Sequence, residues 1–455
     1  MTLPAPDLRS ISEVSELVAR GEVSPVDLVA RCLARIDGRR ETNAFITVMA
    51  DAARADAERA AAEVRAGTRR SRLHGIPVSV KDLVDVAGTP TTSGSAVPPR
   101  IPKTDAPIVT RLREAGAIVI GKTNLHEFAF GTTTEETAFG VVRNPFDLSR
   151  SAGGSSSGAA VALVEGMCYG SIGTDTGGSI RIPSAACGTV GLKPTGSELS
   201  CDGIVPLSIT CDHVGPMTRT VEDARLMFEV LAGSLPKPVG TGPFVFGVPS
   251  GYLVERLDPE VRAALSSVST ALERHGHRLQ DAAIDGCEIT PDVYLHIVLP
   301  EASAYHAPLL ERYADRYSAG VRLRVEMGRY VLAEDYVRAM ALRAQLTAAV
   351  DRALANCDAL LLPALAIPAP LLGTSTVDID GAPEPTRAAM LRLTQLFNLT
   401  GHPAIAIPAG RTRMGLPMGM QLVGARSQTA TLLDIAESVE RHIAGGAGSV
   451  GGGTG

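Results

Sequence analysis

Residues 151–195 read SAGGSSSGAAVALVEGMCYGSIGTDTGGSIRIPSAACGTVGLKPT. Two glycine–serine turns, Gly153-Gly154-Ser155-Ser156-Ser157-Gly158 and Thr176-Gly177-Gly178-Ser179, bracket a run of small apolar residues, and each is followed by residues able to start a helix. Glycine lets a backbone approach a ligand closely or take positive φ, and the first turn of a helix leaves N–H groups free. Hydroxyls on such turns sit beside donors that hold a developing negative charge. Ser155 and Ser179 are 24 residues apart, room for a helix and a return strand that bring both turns to one sheet edge. Ordinary loops use the same residue types, so the turns alone leave the chemistry open.

Upstream, LHGIPVSVKDLVDVAG (73–88) alternates with period two: Ile76, Val78 and Val80 fall on one strand face, Ser79 and Lys81 on the other. A lysine ending such a strand is either a solvated edge residue or one held in the mouth of the sheet. Between these stretches, 107–120 reads as helix, glycine stop and strand, followed by KTNLHEFAFGTTTEETAFGVVRNPFD (122–147).

Taken together, GGSSSG, the nearly unbroken GTDTGGSIRIPSAACGTVGLKPT and GIPVSVKD closely resemble the motifs of the amidase signature family of serine hydrolases. The resemblance is strong over about 73–235, moderate over 356–425, and fades across 240–355. It implies an α/β fold with a large mixed β-sheet covered on both faces by helices. It implies Ser179 as nucleophile, Ser155 as a middle serine after a cis peptide bond, and Lys81 as base. The main-chain amides of Thr176, Gly177, Gly178 and Ser179 are the implied oxyanion donors, with Asp175 and Arg181 supporting the turn. The loop equivalent to 122–147 lies over the active site in the family, which makes Phe128 and Thr132 candidate substrate contacts.

A neutral Lys81 is the chemical condition. Bringing a lysine from about 10.4 to 7–8 takes roughly 4 kcal/mol, which burial supplies and solvent does not. His126-Glu127 lacks an HExxH partner, and the nine histidines show no ligand spacing, so His126 is read as structural and no metal is expected. Asp212-His213 is likewise read as packed structure. GGSSSG lacks the Lys-Ser/Thr of a phosphate loop, which argues against a nucleotide-binding module, and no cofactor is expected.

The rest of the chain bounds these readings. A length of 455 residues gives a soft prior of about three domains, yet no linker, charge run or repeat divides it. We expect an N-terminal helical region (1–70) packed on one domain (71–442), with a variable, mostly helical, substrate-determining part at about 240–355. A flexible glycine-rich tail (443–455) follows. Helices are expected over 7–37 (two, the second capped by Ser24), 50–66, 258–275, 385–399 and much of 291–357. Thr220 and Asp223 form an expected capping box, and a strand lies at 43–48. GHPAIAIPAG and GLPMGMQLVG read as the closing strands. A net charge of −6 points away from nucleic acid and anionic membranes. Seven scattered cysteines, with no export signal and no long apolar run, fit a reducing cytoplasm.

The expected function is therefore cleavage of an amide-type C–N bond (amide, anilide or acyl hydrazide) in a small molecule, by a chain for which a homodimer is admissible. The alternatives are a glutaminase-type subunit of a tRNA-dependent amidotransferase and a urea-type (biuret or allophanate) hydrolase. Six of the eight tyrosines fall between 294 and 336. Tyr305 and Tyr317 are candidate walls of an acyl pocket, implying a preference for aryl amides or hydrazides.

Overall fold

A computed structural model describes residues 6–233, 240 and 242–444. Eleven strands form one mixed sheet: β1 (Phe45–Val48), β2 (Pro77–Lys81), β3 (Ile118–Thr123), β4 (Gly170–Asp175), β5 (Val190–Lys193), β6 (His213–Thr218), β7 (Val245–Pro249), β8 (Arg278–Ala282), β9 (Ala359–Pro363), β10 (Ala404–Arg411) and β11 (Pro417–Val423). Their spatial order is β1-β3-β2-β4-β6-β5-β10-β11-β9-β7-β8. The run β3-β2-β4 is parallel, as is β9-β7-β8, and the centre is antiparallel.

The sheet is buried on both sides by helices, as an α/β reading requires. One layer holds Ser157–Val164 and Arg181–Cys187; another holds Val221–Ala232, Pro259–Arg274 and Thr429–Ala444. Ser157–Val164 (SGAAVALV) is apolar or small all round and buried over all but its last residue, which suits a helix inside the core. Fully buried Val161 and Leu163 there contribute about 1.5–3 kcal/mol each. Directly after it, Glu165 takes the guanidinium groups of both Arg35 and Arg39, fastening the helix Pro25–Gly38 to the core.

Local expectations hold where the signal is local. Ser24 caps Pro25–Gly38 by accepting from the Val26 amide, and the helix expected at 258–275 runs Pro259–Arg274, with Asp258 as a cap that the sequence reading did not single out. Several differ for tertiary reasons. Thr220 accepts from the Asp223 amide, but the Asp223 carboxylate turns away to take the Ser12 amide 211 residues upstream, so no capping box forms. The expected helix 385–399 is two short ones, Thr386–Leu391 and Gln395–Leu399. The strands read as closing the sheet, β10 and β11, lie in its middle; β1 and β8 are the edges. Arg278–Ala282, unforeseen as a strand, pairs with Val245–Pro249 at the edge of the sheet. The tail from residue 445 lies outside the described residues. Among the described residues no helix is long and apolar enough to cross a membrane.

Candidate active site

Strands β2 and β4 run parallel, with Val80 opposite Ile172, so their C-terminal ends emerge side by side. β2 delivers Lys81 to that edge; β4 delivers Thr174 and Asp175 and then the turn Thr176–Ser179. The polar face of β2 is not solvated: Ser79 donates to Ser171 Oγ at 2.8 Å, and Lys81 is fully buried. Lys81 Nζ donates to Ser155 Oγ at 2.7 Å and to Thr174 Oγ1 at 2.8 Å. Burial pulls the Lys81 ammonium down to about 7, with the nearby Asp175 and Asp212 carboxylates acting in the opposite direction.

Ser155 follows a cis peptide bond from Gly154, and its carbonyl accepts from the His126 amide at 3.2 Å. The Ser156 amide donates to the Ser179 carbonyl at 3.1 Å, and Ser156 Oγ donates to the Thr174 carbonyl at 3.2 Å. The two glycine–serine turns are thus bonded directly to each other. Ser155 is fully buried, whereas Ser179 keeps 7% of its surface open.

The turn carrying Ser179 is held from the C-terminal third of the chain. Arg181 grips Asp175 with two parallel bonds of 3.0 Å and also donates to Asn398 Oδ1, Gln421 Oε1 and the Thr394 carbonyl. Asn398 Nδ2 returns to Asp175 at 2.8 Å, and Thr394 Oγ1 donates to the Gly177 carbonyl at 2.5 Å. Burial raises the Asp175 carboxyl, but the Arg181 charge and bonds outweigh it and hold the group ionised, well below the usual carboxylate range. Asp175 in turn takes the Ile180 and Arg181 amides. Among the described residues no acceptor takes the Gly177, Gly178 and Ser179 amides. Gly178 has φ +138°, and a Cβ there would collide with Thr394 Oγ1. A Cβ on Gly177 would stand 2.6 Å from the Tyr294 hydroxyl.

A cavity of about 340 Å³ opens beside this edge, lined by Thr174, Thr176, Asp212, His213 and the loop 201–209. Asp212 accepts from Thr176 Oγ1 at 2.5 Å and from the Leu207 and Ser208 amides; burial lifts its carboxyl to about 6. His213 Nδ1 meets the Cys211 carbonyl at 2.8 Å, and burial lowers the ring to about 3. His126 is spoken for on both nitrogens, taking the Thr134 amide and facing Glu136, and burial lowers it to about 4.

The remaining sequence candidates sit around the loop that follows His126. Thr132 is buried with its backbone against Gly154. Phe128 stacks on Tyr317 at 5.2 Å and meets His306 edge-on at 4.5 Å; Tyr317 Oη bonds His306 Nδ1 at 2.9 Å, and Tyr305 lies edge-on to the same imidazole. The tyrosines of 294–336 do not form one wall. Tyr330 is 85% exposed and Tyr336 donates to Glu301, while Tyr294 is the one set against the Ser179 turn.

A family model described as Amidase matches residues 27–433. The chain belongs to the amidase signature family. It is an enzyme acting on carbon–nitrogen bonds other than peptide bonds. A Pseudomonas putida protein named Amidase is 39% identical over 426 residues, covering 90% of each chain. A glutamyl-tRNA(Gln) amidotransferase subunit from Syntrophus aciditrophicus is 34% identical, over 95% of this chain and 97% of its own. A crystal structure described as an amidase superposes with a TM-score of 0.92 at 39% identity, over 96% of this chain and all of that one.

Sequence reasoning did not find Thr174, Tyr294, Thr394, Asn398 or Gln421. Thr174 was within reach, lying five residues before Ser179 in the quoted stretch. The others act from more than a hundred residues away, beyond the range of any local pattern.

Proposed function

We propose that the protein hydrolyses carboxylic amide-type C–N bonds through an acyl-enzyme on Ser179, with Ser155 as proton relay and Lys81 as base. The observation that carries the reading is the 2.7 Å bond between a wholly buried Lys81 and Ser155, at a lysine brought to about 7 by burial. An amide is a poor electrophile with a poor leaving group, so it needs a nucleophile, a proton path and an oxyanion site together.

In the forward step Ser179 Oγ bonds to the carbonyl carbon as its proton passes to Ser155 Oγ and the Ser155 proton to neutral Lys81. The carbonyl electron pair moves to oxygen, where the free amides of Gly177, Gly178 and Ser179 receive it. Collapse breaks the C–N bond, and the proton returns through Ser155 to the departing nitrogen. Water repeats the sequence on the ester. Simple amides, anilides and acyl hydrazides all meet these requirements, and the loop residues Phe128 and Thr132, with Tyr305 and Tyr317, remain proposed contributors to substrate fit. Covalent trapping with an activated acyl compound, read by peptide mass spectrometry, is expected to place the acyl group on Ser179; label on another residue overturns the assignment.

Relatives named as amidotransferase subunits support a second reading, in which ammonia from glutamine is passed to a partner. Ammonia release from glutamine by the purified chain, with and without added amidotransferase partner proteins, separates the two. A urea-type hydrolase is tested in the same assay with biuret.

A further inference from the structure

Among the described residues, none that lines the cavity beside the Ser179 turn comes from 240–355, yet part of its wall is held from there. Leu207, Ile209 and Asp212 line the cavity and belong to one tight turn. The Asp212 amide donates to the Ser208 carbonyl at 2.8 Å, and Asp212 Oδ2 takes the Leu207 and Ser208 amides at 2.9 and 3.1 Å. Asp212 Oδ1 accepts from Thr176 Oγ1 at 2.5 Å, which ties the wall inward to the segment carrying Ser179. Thr174, also in the lining, receives Lys81 Nζ.

The outward side of the same turn rests on Glu301, in the helix Thr290–Tyr313. Glu301 Oε2 accepts from Ser208 Oγ at 2.5 Å and from the Thr210 amide at 3.1 Å; Oε1 accepts from Thr210 Oγ1 at 2.8 Å and from Tyr336 Oη at 2.9 Å. A carboxylate offers about four acceptor positions, so this one is filled, mostly by the turn. Arg343, in the helix Ala333–Leu354, adds a bond to the Thr210 carbonyl at 2.8 Å. Ile209, between the two anchored residues, is 77% exposed, so packing contributes little there and hydrogen bonds hold the wall.

We propose that Glu301 is a positioning residue: it fixes the 207–212 turn as the wall of a cavity that receives one side of the substrate amide. This rests on the acyl-enzyme reading above and adds how the helical segment acts on the site, from behind the wall and not by lining it.

The test compares Glu301→Leu with Glu301→Gln. Glutamine keeps every contact, its carbonyl oxygen accepting from Ser208 Oγ and the Thr210 amide while its NH2 donates to the hydroxyls of Thr210 and Tyr336; leucine fills the volume with no polar atom. With hexanamide and acetanilide as substrates, Glu301→Leu is expected to raise KM about tenfold or more, the range for hydrogen bonds to a charged group. Its kcat is expected to change little, because Arg181, Asn398 and Thr394 hold the Ser179 turn separately. Glu301→Gln is expected to restore the wild-type KM. A second measurement needs no turnover. Cys201 lines the same cavity, its Sγ 3.9 Å from the Asp212 carbonyl, and burial pushes its thiol up to about 12. N-ethylmaleimide is expected to alkylate Cys201 about fivefold faster in Glu301→Leu, read by peptide mass spectrometry, since a freed wall exposes the thiol. In Glu301→Gln the rate is expected to match wild type, and buried Cys187 is expected to stay unmodified throughout. Should Glu301→Leu fail to fold, Ser208→Ala removes the shortest of the Glu301 bonds, and alkylation about two- to threefold faster is expected. Leucine and glutamine variants that behave alike, or Cys201 alkylation that is unchanged or rises together with Cys187, overturn the positioning role and leave the amidase reading standing. Faster Cys201 alkylation in a protein that hydrolyses neither substrate does the reverse.

Discussion

At the scale of single residues, the proposed chemistry turns on a lysine that must be neutral. Burial pulls Lys81 down to about 7, so kcat/KM is expected to fall as pH drops through 7 and the proposed base takes a proton. The limb is expected to survive in His126→Gln, His213→Gln and Asp212→Asn; its loss in any of these moves the base elsewhere. Ser179→Ala is expected to lower kcat by about 10³-fold or more, and Ser155→Ala by a large but smaller factor. Wild-type-like turnover in Ser155→Ala removes the relay. The same lysine leaves a mark on stability. Its folded value is depressed from 10.5, so between about 7 and 10.5 the unfolded chain binds more protons and stability rises with pH. Below 7 the burial is a cost on the order of 4 kcal/mol, which fades toward pH 10. Lys81→Met is therefore expected to gain stability relative to wild type at pH 7, with a gain that shrinks by pH 10 in denaturant titrations. A difference that is flat in pH contradicts the depressed value.

At the scale of the element, the turn carrying Ser179 is a strand end and a helix start locked by a buried ion pair. Arg181→Met leaves Asp175 charged and unpaired in the core, and is expected to destabilise the protein by about 3–5 kcal/mol in the same titrations. Gly178→Ala meets both a φ of +138° and Thr394 Oγ1. It is expected to lower kcat at least 100-fold, with about 1–3 kcal/mol lost in stability. An active Gly178→Ala shows that the turn need not take this shape. The glycines and serines of 151–195 announce this element because their constraints are local, as does the Ser24 cap. Asp223 departs from expectation because its spacing from Thr220 is right for a capping box, while a helix start 211 residues upstream offers its carboxylate a competing donor. The tyrosines of 294–336 form a group by composition, yet helix breaks at 314–318 and 328–332 send them to different neighbours, and only Tyr294 reaches the turn.

At the scale of the molecule, the order of strands is what sequence pattern does not reveal. A period-two run shows which residues form a strand and not which strands are neighbours, so β10 and β11 read as the end of the sheet although they occupy its centre. The placement follows from β10 pairing with β5, next to the helix that begins at Arg181. This brings Thr394, Asn398 and Gln421 onto Asp175, Gly177 and Arg181. Asn398→Ala is therefore expected to impair turnover tenfold or more while sitting 219 residues from Ser179, with a smaller effect on KM than on kcat. Equal activity shows that Arg181 alone suffices to hold the turn.

The same bonds put a clock on the enzyme's birth. Synthesis proceeds at about 5–20 residues per second, so Ser179 leaves the ribosome well before the residues that fix its turn have been joined to the chain. For tens of seconds the nascent protein carries Lys81, Ser155 and Ser179 without the residues that bond to the turn Thr176–Ser179 and its flanks. A product shortened before residue 394 is therefore expected to be inactive in an amide-hydrolysis assay, although it contains Lys81, Ser155 and Ser179.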